Sequence, residues 1–363
     1  MVKKIIAPLF ILAAWGTIVA SILCYLARYI SPEWCSWLPF FGLFYPIWLF
    51  LQLALAAWCL KYKKQIFLYL LGVFLLGLGH LGGIFQWQRH AQPRTSVRNS
   101  FTIMSHNTEG LLNIDYQYFG LKNKTLEKSV NEINLIKKFR PNILCLQESV
   151  WYAKFTDSLA KKLPQPFVYP YSAYANRTAL LIYSDFPILR FKHFIKTNNA
   201  SNGAIYADLQ VDNKVIIRVF NIHLQSNKLG KNADRLITNI DNINESEGRG
   251  VYKTAYHRLR DTWLIRAKQV NEIADSIARS PYPVVIVGDF NDTPSSYSYQ
   301  SLVNGRQDGF KIGGRWLSFT YNGLLPALSI DHIFASNDLP VLGFRVIREG
   351  KSDHFPVRAE IGY

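Results

Sequence analysis

The stretch Val284-Val285-Ile286-Val287-Gly288-Asp289-Phe290-Asn291 ends an apolar run with an acid and an amide two residues apart. Other apolar runs of the chain carry the same kinds of polar group at one end. These groups are Asn107, Glu148, His223, Asp331 and the pair Asp353-His354. Short apolar runs bounded by turn residues predict buried strands. Strands that bring carboxylates, amides and imidazoles together supply what a metal-dependent phosphoryl-transfer site needs.

The rest of the C-terminal part alternates strand-like and helix-like segments. Apolar residues recur at helical spacing over 126–139 and 259–277, and Pro141 and Pro281 follow these two segments. Shorter apolar runs without intervening helices predict further strands at 179–183, 204–211 and 215–222. This pattern favours an α/β layered sandwich with two sheets inside and helices outside. The polar, glycine-containing segment 227–256 is predicted to be a surface insertion.

The first 88 residues predict a membrane anchor. The predicted units are transmembrane helices at about 5–30, 37–60 and 65–87, a linker at 89–99 and a catalytic domain at 100–363. The first helix carries one charge, Arg28, and the other two contain no Asp, Glu, Lys or Arg. Each exceeds the ~20 apolar residues that cross a ~30 Å hydrocarbon core. The alternatives are a buried helical core and, because Lys3 and Lys4 precede the first run, a cleaved signal peptide.

Basic residues predict the orientation of this anchor. Five lysines, at positions 3, 4, 61, 63 and 64, lie on the cytoplasmic side if the N-terminus is inside. The catalytic domain of a multi-pass protein would then lie outside the cytoplasm. The net charge of +16 suits a phosphate-bearing partner, either nucleic acid or an anionic lipid surface. Only Cys145 lies beyond the predicted anchor, so no disulfide within the catalytic domain is expected.

The polar groups at the strand ends have specific chemical uses. Glu148 is a natural Mg²⁺ ligand, because this hard cation takes oxygen donors and keeps several waters beside one or two carboxylates. Asn107 offers an amide oxygen to a metal or an NH₂ to phosphate. His223 offers a proton to a leaving oxygen or a phosphate oxygen. Taken singly, the three equally suit a solvated strand-end acid, a turn-forming asparagine and a hydrogen-bonded core histidine.

The three later elements add acids next to imidazoles. Asp289 and Asn291 could together hold a water, a metal or a phosphate, although an ordinary Asp/Asn turn has the same sequence. Asp331 stands inside an apolar run, where an ionised acid requires a partner such as a histidine or an amide. Asp353 and His354 are adjacent, so at a bend one could bind metal while the other polarises water.

In this order the elements resemble the endonuclease/exonuclease/phosphatase superfamily. The superfamily includes DNase I, apurinic endonucleases, inositol polyphosphate 5-phosphatases and neutral sphingomyelinases. The matching elements are Asn107, Leu146-Gln147-Glu148, Asn221-Ile222-His223-Leu224, Gly288-Asp289-Phe290-Asn291, Ile330-Asp331-His332-Ile333 and Ser352-Asp353-His354. The resemblance covers about 100–362 and implies a four-layered α/β sandwich of the DNase I type. It also implies a divalent metal, Mg²⁺ or alternatively Mn²⁺, and water attack on phosphorus without a covalent enzyme intermediate.

The resemblance implies a metal site and a catalytic group. Glu148 would be the main metal ligand, assisted by Asn107 and Asp353. The family's base or phosphate-polarising histidine corresponds to His354, and its orienting acid to Asp331.

The remaining matches concern the water, the phosphate and the branch of the family. Asp289 and Asn291 would position or activate the attacking water and the scissile phosphate. His223 is similar to the second histidine of the DNase I and sphingomyelinase branches. The Arg266 and Gln269 pair matches a recurring pair of structural residues. The motifs that distinguish the inositol 5-phosphatases are absent, and His106 stands where family members often carry an aromatic residue.

The sequence therefore predicts a membrane-anchored, Mg²⁺-dependent phosphodiesterase that acts on nucleic acid or on a phospholipid headgroup. Its expected partners are this substrate and the lipid bilayer, and protein partners are left open. The rival hypothesis is a membrane-anchored scaffold with the same fold and no catalysis, and its signature would be substitution of Glu148, Asp289 or His354. A transporter is disfavoured because the apolar segments hold few ionisable residues, chiefly Arg28 and His80.

Overall fold

The computed structural model begins with a run of helices and continues with strands and helices, and it describes residues 2–87, 97–110, 123–150, 169–175, 178–196, 202–227, 245–323 and 328–363. The helices are α1 Val2–Ala27, α2 Pro39–Leu43, α3 Tyr45–Tyr62, α4 Lys64–Leu76, α5 Leu78–Leu81, α6 Asn123–Phe139, α7 Glu245–Ala278, α8 Tyr297–Val303 and α9 Gly309–Gly313. The first seven strands are β1 Phe85–Gln86, β2 Ser100–Asn107, β3 Ile143–Val150, β4 Tyr169–Ala175, β5 Thr178–Ser184, β6 Ile188–Lys196 and β7 Gly203–Asp212. The other seven are β8 Val215–His223, β9 Val284–Asp289, β10 Arg306–Asp308, β11 Trp316–Leu317, β12 Asp331–Ser336, β13 Val341–Val346 and β14 Val357–Gly362.

Two six-stranded sheets form the C-terminal part of the chain. One has the order β10-β12-β9-β8-β7-β6 and the other the order β13-β14-β2-β3-β5-β4. Each sheet contains a parallel pair, β8 with β9 and β2 with β3, and the other pairings are antiparallel. Parallel neighbours end at the same edge of their sheet. In this way His223 lies opposite Asp289, and Asn107 lies opposite Gln147.

Three apolar clusters stack the layers. The first lies between the sheets and includes Ile103, Ile143 and Val285. The second joins α6, through residues such as Ile136, to the outer face of one sheet. The third joins α7, through residues such as Val270, to the outer face of the other. The order helix, sheet, sheet, helix confirms the predicted α/β sandwich. Both faces of each sheet are covered, which explains why its strands are continuous apolar runs in the sequence.

The prediction of three transmembrane helices is wrong. Within the described residues, one helix, Ala7–Ala27, is long and apolar enough to cross a membrane. The predicted 37–60 segment is divided into α2 and α3, with Pro39 and Pro46 at their starts. The predicted 65–87 segment gives α4, an apolar helix of 13 residues that ends at Gly77. At ~1.5 Å per residue, a helix of this length spans ~20 Å, less than a hydrocarbon core.

The apolar helices pack on one another and also on the sandwich. A cluster that includes Ala14, Leu55 and Leu70 joins α1, α3 and α4, which we call the apolar bundle. Strand β1, which follows the bundle, pairs with β11 of the sandwich.

The segment 227–256, predicted as a surface insertion, is partly helical. Helix α7 begins at Glu245 and runs through the end of this segment, and residues 228–244 lie outside the described residues. Most of the predicted linker also lies outside them.

Candidate active site

Asp289 stands at the centre of the polar groups that the strands deliver. Its carboxylate is 1% exposed at the end of β9. The Asp289 Oδ2 atom accepts a hydrogen bond from Asn107 Nδ2 at 3.0 Å. The same oxygen lies 3.5 Å from His223 Nε2 and 3.8 Å from His354 Nε2. Groups from both sheets therefore meet at one buried carboxylate.

Local backbone geometry presents the residues that follow the strands. Gly288 has a φ of 143°, and a Cβ at this position would overlap the carbonyl oxygen of Ile222. Glycine is needed there because β8 and β9 approach so closely. Asn291 adopts the left-handed region, with φ 51°. Its N–H donates to Asp289 Oδ1 at 2.7 Å and its amide donates to Asp289 Oδ2 at 3.1 Å, so the turn itself fixes the carboxylate.

His354 and Asp331 form a buried pair. The His354 Nδ1 atom and Asp331 Oδ2 lie 2.9 Å apart. Burial alone would lower the pKa of His354, but the charges of Asp331 and Asp289 raise it to about 10. Burial acts to raise the pKa of Asp331, but the hydrogen-bonded His354 holds it below its ordinary value. Both shifts favour an ion pair, in which Nδ1–H of a protonated His354 would donate to Asp331.

Glu148 and Asp353 add further carboxylates. The Glu148 side chain is 31% exposed, its Oε1 lies 3.5 Å from His223 Nε2, and its backbone is left-handed with φ 50°. Burial, together with the charges of Glu109, Glu148 and Asp289, raises the pKa of Asp353 to about 6. Acidic side chains are therefore concentrated at one side of the site.

A metal could be held in this region by more than one set of groups. Among the described residues, the ligand atoms of Asp289, Asp331 and His354 all lie within 4.8 Å of one another. This group differs from the expected ligands Glu148, Asn107 and Asp353. The Asn107 Oδ1 atom accepts the N–H of Glu109 at 3.1 Å, and because a carbonyl oxygen has two lone pairs it keeps one for a further contact.

The structure adds supporting residues that the sequence patterns did not single out. The Glu132 side chain on α6 is fully buried and lies 2.7 Å from His106 Nε2. Its carboxylate accepts the N–H groups of Lys351 and Ser352, the latter at 3.0 Å. Burial would raise the pKa of Glu132, but these hydrogen bonds and the nearby His106 lower it. The helical spacing of α6 gave no signal for a buried acid.

A second network lies beneath the site, between the sheets. The Gln147 amide donates to Asn221 Oδ1 at 2.7 Å, and Asn221 in turn donates to the carbonyl oxygens of Leu146 and Leu181. The only sequence signal was an amide inside each apolar run. Arg266 is fully buried and donates to the carbonyl oxygen of Asn291, in keeping with its expected structural role.

Comparison with models of protein families shows which family the chain belongs to. The model of the endonuclease/exonuclease/phosphatase family matches residues 104–354. The chain belongs to this family. A second model, described as a domain of unknown function, matches residues 4–84. No curated protein matches the chain at a significant level.

Solved structures of low sequence identity share the fold of this family member. A Beutenbergia cavernae endonuclease/exonuclease/phosphatase is 16% identical, with a TM-score of 0.51 over 73% of this chain and 72% of that chain. A humanized D. rerio TDP2 is 14% identical, with a TM-score of 0.50 over 73% of this chain and 99% of that chain. The human Nocturnin catalytic domain is 15% identical, with a TM-score of 0.50 over 73% of this chain and 95% of that chain.

Proposed function

We propose that the chain is a Mg²⁺-dependent phosphodiesterase held at a membrane. The observation that carries this proposal is the convergence on Asp289 of two imidazoles, His223 and His354, and one amide, Asn107. Such a group can hold a phosphate, a water and a metal within reach of one another. Membership of a family of nucleases and phosphatases supports the same chemistry.

The donors in the site fit a hard divalent cation. Glu148 would be the main ligand, with Asn107 and Asp353 beside it, because Mg²⁺ prefers carboxylate and amide oxygens. Burial and the repulsion of neighbouring carboxylates raise the pKa of Asp353, and a bound cation would offset both effects. When bound, Mg²⁺ or Mn²⁺ supplies electrostatic stabilisation of the charge that develops on the phosphoryl oxygens.

The protein groups have separate tasks in the proposed reaction. Asp289 has a pKa raised by burial, so it is a stronger base than an exposed acid and takes the proton of the attacking water. Asn291 holds that carboxylate in place. His354, protonated beside Asp331, donates from Nε2 to a non-bridging phosphate oxygen. His223 serves the leaving oxygen or a second phosphate oxygen.

The apolar bundle supports the membrane part of the proposal. Helices α1, α3 and α4 each carry large apolar side chains that are exposed. Leu12 of α1 is 70% exposed and Phe50 of α3 is 71% exposed. A core helix of a soluble domain would bury such residues. Lys3 and Lys4 lie in the first turn of α1, before the apolar span Ala7–Ala27, so the positive-inside rule favours a catalytic domain outside the cytoplasm.

The substrate is a phosphodiester of nucleic acid or of a phospholipid headgroup. A membrane tether raises the local concentration of a lipid substrate, and a basic domain attracts either polyanion. The test uses the full chain in detergent or vesicles with Mg²⁺, and a panel of bis-p-nitrophenyl phosphate, DNA, RNA and sphingomyelin. Turnover that Asp289→Asn abolishes is expected. A folded, Mg²⁺-binding protein that cleaves none of them would favour the scaffold hypothesis.

A further inference from the structure

A basic, aromatic cavity lies beside β11, the strand that pairs with β1. Its volume is about 330 Å³. Its lining residues are Phe310, Gly314, Arg315, Trp316, Leu317, Phe344, Arg345, Val346 and Arg348. Three of these are arginines and none is acidic, so the cavity suits an anion. We call it the arginine pocket.

The arginine pocket is next to the chain segment that leaves the bundle. Strand β11 forms one wall and pairs with β1, with Phe85 opposite Leu317. The Arg348 side chain donates to the carbonyl oxygen of Leu317 at 2.9 Å and so ties the two sides of the pocket together. Only the short helix α5 and a turn separate β1 from α4. The pocket is therefore held at a fixed position relative to the apolar helices.

The end of the bundle from which the chain continues to β1 carries exposed aromatic residues. Tyr45 Oη donates to the carbonyl oxygen of Gly77, which places the start of α3 beside the end of α4. Trp34 in the preceding loop is 90% exposed, and Trp87 just after β1 is 65% exposed. Tryptophan is enriched where hydrocarbon gives way to headgroups. These residues mark the headgroup level at the same end of the bundle as the arginine pocket.

The pocket itself combines the two properties that a headgroup site requires. Trp316 is 49% exposed, and its ring lies 5.5 Å from that of Trp87. The Arg315 guanidinium lies 5.2 Å from the Trp316 ring centre. Trp316 adopts a left-handed backbone with φ 65°, which is unfavourable for a bulky residue and is often found at binding sites. Arg315, Arg345 and Arg348 are exposed at the opening.

We propose that the arginine pocket binds the phosphate of an anionic membrane lipid headgroup and so fixes the orientation of the catalytic domain on the bilayer. Arginine is the side chain suited to phosphate, because its planar fork donates two hydrogen bonds at once. The free anion and the lipid share this chemistry, but the aromatic residues and the adjoining bundle favour the lipid. The inference rests on the proposed membrane anchoring and not on the proposed hydrolysis.

The test measures lipid binding by the full chain in detergent with EDTA, by native mass spectrometry. The probes are phosphatidylglycerol, phosphatidylcholine and inorganic phosphate. The pocket variant is Arg315→Gln/Arg345→Gln/Arg348→Gln. The control variant removes the same charge from exposed positions on other elements, Arg190→Gln/Lys192→Gln/Arg279→Gln.

The wild type should prefer phosphatidylglycerol to phosphatidylcholine. Its first binding constant for phosphatidylglycerol should fall about fivefold per arginine removed in the pocket variant, since each basic residue near an anionic surface contributes about 1 kcal/mol. The control variant should keep the preference. Equal binding by the wild type and the pocket variant, or an equal loss in both variants, would overturn the proposal. Inorganic phosphate that binds as tightly as the lipid would overturn the lipid assignment.

Two further measurements separate this proposal from those on which it depends. A cooperative thermal unfolding transition in the pocket variant would show that it is folded, and a single Arg345→Gln change replaces it if it is not. Release of the wild type from vesicles by an alkaline wash would overturn the anchoring and the pocket together. Retention without lipid preference would overturn the pocket alone.

Discussion

Asp331→Asn is the change that tests the chemistry of the buried pair most sharply. Asparagine keeps the shape of the side chain but removes the charge that faces His354 Nδ1 across 2.9 Å. Among the carboxylates that raise the pKa of His354, Asp331 has the largest effect. The variant should therefore have a neutral His354 at pH 7, and the proposed donor to the phosphate should lose its positive charge.

The expected effect of Asp331→Asn on stability and on kcat can be worked out from the raised pKa of His354. Raising a histidine pKa from 6.5 to about 10 corresponds to an interaction on the order of 5 kcal/mol. Removing one partner of a buried pair costs about 3–5 kcal/mol of stability. Because the folded pKa of His354 is raised, its stabilising contribution is complete below about pH 6.5 and is lost as the pH rises through about 10. Loss of one preorganised donor lowers kcat by about 10²–10³.

The assays are thermal unfolding and bis-p-nitrophenyl phosphate turnover of the full chain in detergent, from pH 6 to 10. The stability difference between wild type and Asp331→Asn should be largest near pH 6 and shrink towards pH 10. The control is Asp208→Asn, which breaks an equally buried pair with Arg218 on a different part of the fold. It should lower stability but leave the pH dependence of kcat unchanged. An Asp331→Asn enzyme with wild-type kcat and pH profile would refute the reasoning.

Three further changes test the support of the site. Gly288→Ala should lower the free energy of unfolding by more than about 3 kcal/mol, because backbone strain at positive φ adds to the overlap with Ile222. The control Gly305→Ala, with φ 71° and open space around the new Cβ, should cost only about 1 kcal/mol. Thermal unfolding of both variants measures the difference. Glu132→Gln should lower stability by about 1.5–3 kcal/mol and reduce kcat, since the loop before His354 loses a charged acceptor, and a wild-type kcat would argue against this role. Gly42→Leu should separate the bundle from the sandwich, because even a Cβ would lie 2.8 Å from the carbonyl oxygen of Ser295, and faster proteolysis at unchanged bundle helicity is the expected result.

The sandwich could be predicted because each strand can be recognised in the sequence by itself. A strand such as β9, buried along its whole length, is a continuous apolar run, and the apolar face of α7 recurs at helical spacing. Which strands are neighbours could not be read from the residues, since pairing between distant segments depends on the whole layered packing. The family resemblance implied the four-layered sandwich but not the order of the strands.

The candidate site was predicted in part. The strand-end positions of Asp289 and His223 follow from the apolar runs, and the structure places them 3.5 Å apart. The buried Glu132 carries no such mark, because its burial depends on the loop that it holds. The partner of Asp331 was left open between a histidine and an amide, and the structure shows His354.

The anchor was overpredicted because composition was weighed without helix-breaking residues. Pro39 and Pro46 lie in the first turns of separate helices, and α4 ends at Gly77. A run of uncharged residues does not by itself show how long a helix is. The break points instead allow the chain to turn back at the level of the sandwich.

The central claim is tested most directly by the Mg²⁺ dependence of bis-p-nitrophenyl phosphate turnover by the full chain, with Glu148→Gln beside the wild type. The account predicts that EDTA stops the wild type and that Mg²⁺ restores it. It also predicts that Glu148→Gln needs far more Mg²⁺ and has a kcat lower by about 10² or more. Equal turnover by the two proteins, with or without Mg²⁺, would contradict a metal-dependent reaction at this site.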